Sequence, residues 1–205
     1  MFYDILDKPR LEILPLFKFF KNRFYLAGGT GLALQLGHRD SIDFDFFAQD
    51  NFDTAVFYNE LLDLFKNRAV VKTLEEKNTL SLIIGGEIRL SFFRYPYRLL
   101  NSCVNEENLQ IASIVDIACM KFSAVVSRAS EKDFIDLYFI MKNDSLAELL
   151  QKTKEKMPDL DQNLVLKSLV YFDDIAPEKL IFKHGFNVEL GDVKKFMRDQ
   201  VKSLK

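Results

Sequence analysis

Residues 24–47, FYLAGGTGLALQLGHRDSIDFDFF, constrain the fold of this chain more than any other segment. A short apolar run ends at Gly28-Gly29, a helix-like run follows as far as Gly37, and apolar and acidic residues then alternate over 42–47. This order predicts a strand, a glycine turn, a short helix and a second strand with one charged face.

The glycine turn is the first candidate binding element. Glycines let backbone N–H groups approach a phosphate closely, and the start of a helix favours an anion. Gly28 and Gly29 would allow that approach, and the hydroxyl of Thr30 would add one more donor. Many strand-to-helix turns carry glycine only for close packing, so the turn alone leaves both interpretations open.

Asp43 and Asp45 are the second candidate element. Side chains alternate along a strand, so both carboxylates point to one face, with their Cα atoms about 6.5–7 Å apart. Paired carboxylates suit hard divalent cations such as Mg²⁺, and two such ions can hold the attacking and leaving oxygens in phosphoryl transfer. The alternative is a solvated strand face, which the apolar residues Ile42, Phe44 and Phe46 at the alternating positions disfavour.

The character of the chain changes near residue 112, where β-rich runs give way to apolar residues with a period of 3.6. A helix is predicted over 53–67, strands over 69–75, 79–84 and 87–94, and helices over 113–127, 131–142, 144–156, 161–171 and 191–203. We therefore expect an α+β protein, with an α/β core over 1–112 and a helical lobe over 113–205 packed on it.

Composition excludes several classes of protein. The 205 residues are 48% hydrophobic and 28% charged, as in ordinary soluble domains. The formal net charge of -2 argues against a broad basic surface for duplex DNA. Cys103 and Cys119 form no CxxC pair, so we expect free thiols and a cytoplasmic protein. Neither a signal peptide nor an apolar run of about 18 residues is present, so we expect no membrane partner.

The string Gly28-Gly29-Thr, followed after twelve residues by Asp43-Phe-Asp45, resembles the G[GS]…DxD signature of the DNA polymerase β-like nucleotidyltransferase superfamily. The longer segment AGGTGLALQLGHRDSIDFDFF is similar to the corresponding segment of the AbiEii/AbiGii-type nucleotidyltransferase toxins. IRLSFFRYPY (88–97) and IASIVDIACMKFSAVVSRASEKDFIDLYFI (111–140) resemble further motifs of the same family.

The resemblance implies a polymerase β-like mixed sheet with flanking helices, followed by a helical C-terminal lobe. It implies magnesium-dependent transfer of a nucleoside monophosphate from an NTP, with pyrophosphate released and Mn²⁺ as an alternative metal. The metal would be held by Asp43 and Asp45. The implied nucleotide-binding residues are Gly28, Gly29, Thr30, Arg39, Ser41, Lys121 and Arg128.

The predicted helices carry the remaining candidates. Lys121 and Arg128 are seven residues apart, about two helical turns, so they share one face. Asp133 and Asp136 share a face of the next helix. In the family motif one of them would orient Lys121 or a hydroxyl nucleophile, whereas an interhelical salt bridge is the structural alternative. The predicted catalytic residues are Asp43, Asp45, Lys121 and Asp136.

One strand departs from the superfamily pattern. Many polymerase β-like transferases place a third carboxylate on the strand beside the DxD strand, where it serves as metal ligand and general base. Here that strand carries Glu87, Arg89 and Ser91 on one face. If Ser91 takes the place of the acid, the acceptor is activated differently, one metal is bound weakly, or activity is reduced.

These observations predict a transferase that acts on a hydroxyl of RNA, such as tRNA, or of a protein. By resemblance it would be the toxin of a toxin–antitoxin or phage-defence pair, with a cognate antitoxin as partner. The alternative is a catalytically weak or inactive protein of the same fold that binds nucleotide or a partner. A third interpretation is a structural α/β domain with coincidental acids.

Overall fold

The computed structural model describes residues 1–128, 130–175 and 177–204, over which the chain forms a seven-stranded mixed sheet with helices on both faces. The strands are β1 Tyr25–Leu26, β2 Phe44–Ala48, β3 Val70–Glu76, β4 Thr79–Ile84, β5 Ile88–Arg94, β6 Val104–Asn105 and β7 Gln110–Ile111. The helices are α1 Lys8–Ile13, α2 Gly28–Leu36, α3 Thr54–Leu64, α4 Ile114–Ser127, α5 Glu131–Ile140, α6 Leu146–Lys156, α7 Gln162–Val170 and α8 Leu190–Lys202. Two 3₁₀ helices cover Tyr3–Ile5 and Leu14–Phe19.

The strand order is β3-β4-β5-β2-β1-β7-β6. β2 pairs with β5, and β1 with β7, in parallel; the other neighbours are antiparallel. The β2–β5 register sets Asp45 beside Ser91 and Phe47 beside Phe93. Because side chains two residues apart share a face, these two rungs lie on the same side of the sheet.

The two faces of the sheet pack into two hydrophobic cores. Phe44 and Phe46 point to one face, where they meet Phe17 from the N-terminal segment at 4.9 and 5.2 Å between ring centroids. On the other face, buried residues of α4 to α8 form a second core together with Tyr25. The many phenylalanines thus serve largely as core, as the sequence suggests.

Local signals in the sequence set the element boundaries. Helix α2 ends at Gly37, whose φ of 69° is a left-handed conformation that glycine adopts without strain. Helix α4 begins after Ser113, whose hydroxyl accepts from the backbone N–H of Asp116 at 3.0 Å. The N-terminal helices and the short strands β6 and β7 were not predicted.

The structure confirms an α+β fold with a mixed sheet, flanking helices and a helical C-terminal region. The division at residue 112 stays a prediction, because Tyr25 and Leu32 share a core with the C-terminal helices. In the part of the chain that the structure describes, no helix is both long and apolar enough to cross a membrane.

Candidate active site

A cavity of about 770 Å³ opens between the sheet and helix α4. Its walls come from the glycine turn, from the cavity-facing residues of β2 and β5, from α4 and the start of α5, and from an extended segment at residues 178–181. The predicted site residues that line it are Gly28, Gly29, Arg39, Ser41, Asp43, Asp45, Lys121 and Arg128.

Asp43 and Asp45 stand on the floor of the cavity. Asp43 directly precedes β2 and is half exposed, whereas Asp45 lies within β2 and is only partly exposed. Arg89 on β5 approaches Asp43, with its Nε 3.9 Å from Oδ1. Burial, together with the nearby negative charge of Asp43, raises the pKa of Asp45 above its usual range.

Ser91 occupies the neighbouring strand position where a third carboxylate is common. It is the register partner of Asp45, is buried, and accepts a hydrogen bond from the Ser81 hydroxyl at 3.2 Å. Among the described residues, no group of three or more His, Cys, Asp or Glu side chains is arranged to hold a metal ion. On β2, β5 and the residues that directly precede them, the carboxylates that line the cavity are therefore Asp43 and Asp45.

The donor chemistry of this pair fits a hard divalent cation. Asp43 and Asp45 supply carboxylate oxygens from the floor of the cavity, and Ser91 adds a hydroxyl beside Asp45. Mg²⁺ is commonly bound through one or two carboxylates, with water and substrate phosphates completing its shell. Two carboxylates thus suffice for a site that the nucleotide completes.

The glycine turn lies against the acidic strand with no room for side chains. Gly28 has a φ of 63°, and a Cβ there would come 3.0 Å from Oδ2 of Asp45. A Cβ on Gly29 would come 2.7 Å from Nη2 of Arg39 and 3.2 Å from Oγ of Ser41. The sequence therefore needs glycine at both positions to hold the start of α2 beside Asp45.

Thr30 lies below the cavity wall. It is 1% exposed, and its hydroxyl bonds to the Ser41 hydroxyl at 2.8 Å and to the backbone carbonyl of Asp43. Its predicted contact with a triphosphate stays a prediction. What the structure assigns to Thr30 is the positioning of the turn that leads into Asp43.

Lys121 is held by both candidate aspartates of α5. Its Nζ lies 2.7 Å from Oδ1 of Asp133 and 2.6 Å from Oδ2 of Asp136. Burial works against its charge, but the two carboxylates together raise its pKa. Lys121 and Asp133 line the cavity, whereas Asp136 is fully buried behind them.

Asp136 joins the α2–β2 connection to the helical region. Arg39 binds it through Nε at 2.7 Å and Nη2 at 2.8 Å, and Nε2 of His38 lies 2.8 Å from Oδ1. Burial opposes ionisation of Asp136, but Lys121 and Arg39 outweigh it and hold its pKa well below the usual range. Burial lowers the pKa of His38 below 6.5, so the imidazole is neutral near pH 7.

We call Arg39, Lys121, Arg128, Asp133 and Asp136 the ion network. Arg128 completes it with its Nε 2.9 Å from Oδ2 of Asp133. Three cations against two carboxylates leave one positive charge. Arg39, Lys121 and Arg128 all line the cavity, so the surplus charge of the ion network lies at the cavity wall.

The segment at residues 178–183 closes one side of the cavity. The backbone N–H of Asp40 donates to the carbonyl of Ile181 at 2.9 Å, and that of Lys183 donates to the carbonyl of His38 at 3.1 Å. Glu178 accepts from the Ser130 hydroxyl at 2.6 Å. This segment therefore fixes the backbone from which Arg39 projects.

Sequence reasoning missed three features of the site. The sequence places Arg89 on the same strand face as Ser91 but does not identify it as a site residue. The signal was its position two residues before Ser91, which puts it on the cavity side of β5. His38 lies beside Arg39 in the sequence, but no local pattern reveals its link to Asp136, which is 98 positions away. Glu178 carried no signal, because its segment has neither helical nor strand periodicity.

Comparisons with known proteins agree with this geometry. A family model described as nucleotidyl transferase AbiEii toxin, type IV TA system, matches residues 16–201. An uncharacterized protein of Aquifex aeolicus is 41% identical over 163 residues, which are 77% of this chain and 77% of that protein. The structure of MenT4, a nucleotidyltransferase toxin of Mycobacterium tuberculosis, superposes with a TM-score of 0.59 at 16% identity, over 95% of this chain and 83% of that one. A Helicobacter pylori protein superposes with a TM-score of 0.57 at 18% identity, over 97% and 93%.

Proposed function

Because the chain belongs to the AbiEii nucleotidyltransferase toxin family, we propose that it transfers a nucleoside monophosphate from an NTP to a hydroxyl group and releases pyrophosphate. The family and the polymerase β-like fold make the chain a transferase enzyme. The metal, the residue roles and the acceptor are the parts that we infer from the site.

One observation carries the proposal: paired carboxylates, a glycine turn and a surplus of cations surround a single cavity. Asp43 and Asp45 would hold Mg²⁺, or Mn²⁺ in its place. When bound, such ions neutralise phosphate charge and hold the attacking and leaving oxygens in line. The protein's contribution is then positioning and electrostatic stabilisation.

The nucleotide's phosphates would lie against the glycine turn and the ion network. Gly28 and Gly29 keep side chains away from the start of α2, where backbone N–H groups favour an anion. Lys121 and Arg128 supply positive charge from α4, and Arg39 does so from beneath the turn. Ser41 offers a hydroxyl on the same wall.

Asp136 acts as a positioning residue in this scheme. Its carboxylate is fully buried and already engaged by His38, Arg39 and Lys121, so it does not reach an acceptor hydroxyl. Of the two roles that the sequence left open, orientation of Lys121 is the one that this geometry supports. Asp133 shares that role from the cavity side.

The acceptor that we propose is an RNA hydroxyl, such as the 3′ end of a tRNA. Arg89 and Arg128 are 57% and 60% exposed on the cavity walls, where they can meet the phosphates that precede a terminal nucleotide. A Ser, Thr or Tyr hydroxyl of a protein is the other outcome. As the toxin of a pair, the enzyme would be restrained by a cognate antitoxin.

Incubation of the enzyme with each α-labelled NTP, Mg²⁺, total RNA and lysate proteins tests the proposal. The test variant is Asp43→Asn/Asp45→Asn, and Asp50→Asn, an exposed carboxylate outside the cavity, is the matched control. We expect label in an RNA band with wild type and the control, and its loss with the test variant. Label in a protein band would show that the acceptor is a protein hydroxyl instead of an RNA hydroxyl.

A second candidate, a binding module that no longer transfers, is favoured by Ser91 at the third-carboxylate position. It predicts metal-dependent NTP binding without pyrophosphate release. Measurement of released pyrophosphate therefore separates the two functions, whereas NTP binding does not.

A further inference from the structure

The cavity has an aromatic end that none of the roles above uses. Phe47, Phe93 and Tyr95 line it on the sheet side, and each is partly exposed. Ring centroids lie 5.4 Å apart for Phe47 and Phe93 and 5.8 Å apart for Phe47 and Tyr95. From α4, Ile117 and Met120 line the same cavity and add apolar surface.

Helix α4 shows how the aromatic end of the cavity lies relative to its cationic end at Arg128. Its first turn lies near Tyr95, because Lys156 Nζ is 2.7 Å from Oδ1 of Asp116 and 5.7 Å from the centroid of the Tyr95 ring. Its last turn lies at Arg128, which binds Asp133. Arg128 lies twelve positions after Asp116, about 18 Å along the helix axis. The aromatic and cationic ends therefore lie near opposite ends of α4.

The acidic pair lies between these ends. On the sheet, Phe47 and Phe93 form the rung two residues after Asp45 and Ser91, on the same face, about 6.5–7 Å further along the strands. A nucleotide with its α-phosphate at Asp45 and its outer phosphates at the ion network would carry its ribose across this step. Its base would then lie over the aromatic rings.

We propose that Phe47, Phe93 and Tyr95 form the subsite for the base of the incoming nucleotide and hold it by stacking. This inference rests on the proposed nucleotidyl transfer. Every base has a π face, so stacking accepts all four nucleotides, and the larger purine rings gain more contact. Tyr95 donates its hydroxyl to Sδ of Met157 at 3.1 Å, so that hydroxyl is engaged within the protein rather than with the base edge.

The test compares a ligand with a base to one without. Calorimetry in the presence of Mg²⁺ gives the Kd of ATP and of inorganic triphosphate for wild type, Phe93→Leu and Phe93→Tyr. We expect Phe93→Leu to weaken ATP binding about tenfold and to leave triphosphate binding unchanged. Phe93→Tyr keeps an aromatic face and should bind ATP as wild type does.

Phe19→Leu is the matched control, since Phe19 is an exposed phenylalanine outside the cavity. A wild-type circular dichroism spectrum for Phe93→Leu establishes that the variant is folded. Unchanged ATP affinity in Phe93→Leu would overturn the assignment. An increase in the KM for the RNA acceptor alone would also overturn it, because the rings would then stack on a base of the acceptor. Failure of the proposed transfer is distinguished from failure of the base subsite by pyrophosphate release. If the transfer proposal is wrong, wild type releases no pyrophosphate, whatever the ATP affinity of Phe93→Leu.

Discussion

Asp45 and Ser91 are register partners on adjacent parallel strands, so the aspartate of the acidic pair has a hydroxyl where a carboxylate is common. Ser91 is buried and bonded to Ser81. The pair therefore forms a two-carboxylate centre with an uncharged third position. A metal bound there would rely more on the phosphates of the nucleotide than in a three-carboxylate centre.

Ser91→Asp should make the protein's stability depend strongly on metal. A third carboxylate beside Asp45 adds like-charge repulsion without metal and an additional ligand with it. We expect a lower Tm than wild type in EDTA and a larger rise in Tm on addition of Mn²⁺. Ser91→Asn, similar in shape but uncharged, is the control, and an equal Mn²⁺ response in both variants would contradict the two-carboxylate account.

The contact between Lys121 and Asp136 should be costly to break. Removal of one partner leaves the remaining buried charges of the ion network only partly compensated, which costs up to about 3–5 kcal/mol. Urea unfolding of Lys121→Met and Asp136→Asn should show losses of this size. Lys72→Met removes the surface ion pair with Glu75 and should cost less than about 1 kcal/mol. If Lys121→Met and Asp136→Asn also lost less than about 1 kcal/mol in the free energy of unfolding, the ion network would contribute little to stability.

His38 should make the protein less stable as the pH falls below about 6.5. Its pKa is lowered by burial, with Arg39 and Lys121 adding to the effect and Asp136 opposing it. The unfolded state therefore binds a proton that the folded state excludes, and the free energy of unfolding falls as pH decreases, by up to about 1.4 kcal/mol per pH unit.

The check is the free energy of unfolding at pH 7 and pH 5.5 for wild type and His38→Asn. The difference between the two pH values should be smaller in the variant, which has no imidazole to protonate at this position. His184→Asn, at the other histidine of the chain, is the control. A pH dependence equal in His38→Asn and wild type would show that His38 does not contribute to it.

Gly29→Ala should weaken nucleotide binding and destabilise the fold. The new methyl group would lie 2.7 Å from Nη2 of Arg39, so the guanidinium that holds Asp136 must move. We expect the KM for the NTP to rise at least about tenfold, in line with displacement of one charged contact. Gly191→Ala meets no atom within 4 Å in helix α8 and should stabilise the protein by about 0.5–1 kcal/mol. A KM for Gly29→Ala equal to that of wild type would contradict the tight packing of the turn.

Much of the fold could be predicted because its signals are local. The strand at Thr79–Ile84 has the bounds that alternation indicates, and the cap at Ser113 fixes the start of α4. The two-residue strands β6 and β7 could not be predicted, because so few residues carry no periodicity. β7 pairs with Leu26, far away in the chain, and β6 joins the sheet only through its pairing with β7.

The candidate site was predictable in membership but not in arrangement. Glycine and aspartate spacing identifies Gly28 and Asp45, because their roles depend on one turn and one strand. The separation of Thr30 and Asp136 from the cavity surface depends instead on how α2 and α5 pack. The link between His38 and Asp136 joins residues 98 positions apart, which no pattern within one segment can reveal.

The division of the site along the chain has a consequence during protein synthesis. The acidic pair and the glycine turn are synthesised early, whereas Lys121, Arg128 and the α5 aspartates are added only after more than half of the 205 residues have been made. The segment that secures the Arg39 backbone comes later still. A nascent chain that ends before residue 121 therefore lacks the part of the ion network that α4 and α5 supply, and Arg39 is then without its buried partner Asp136.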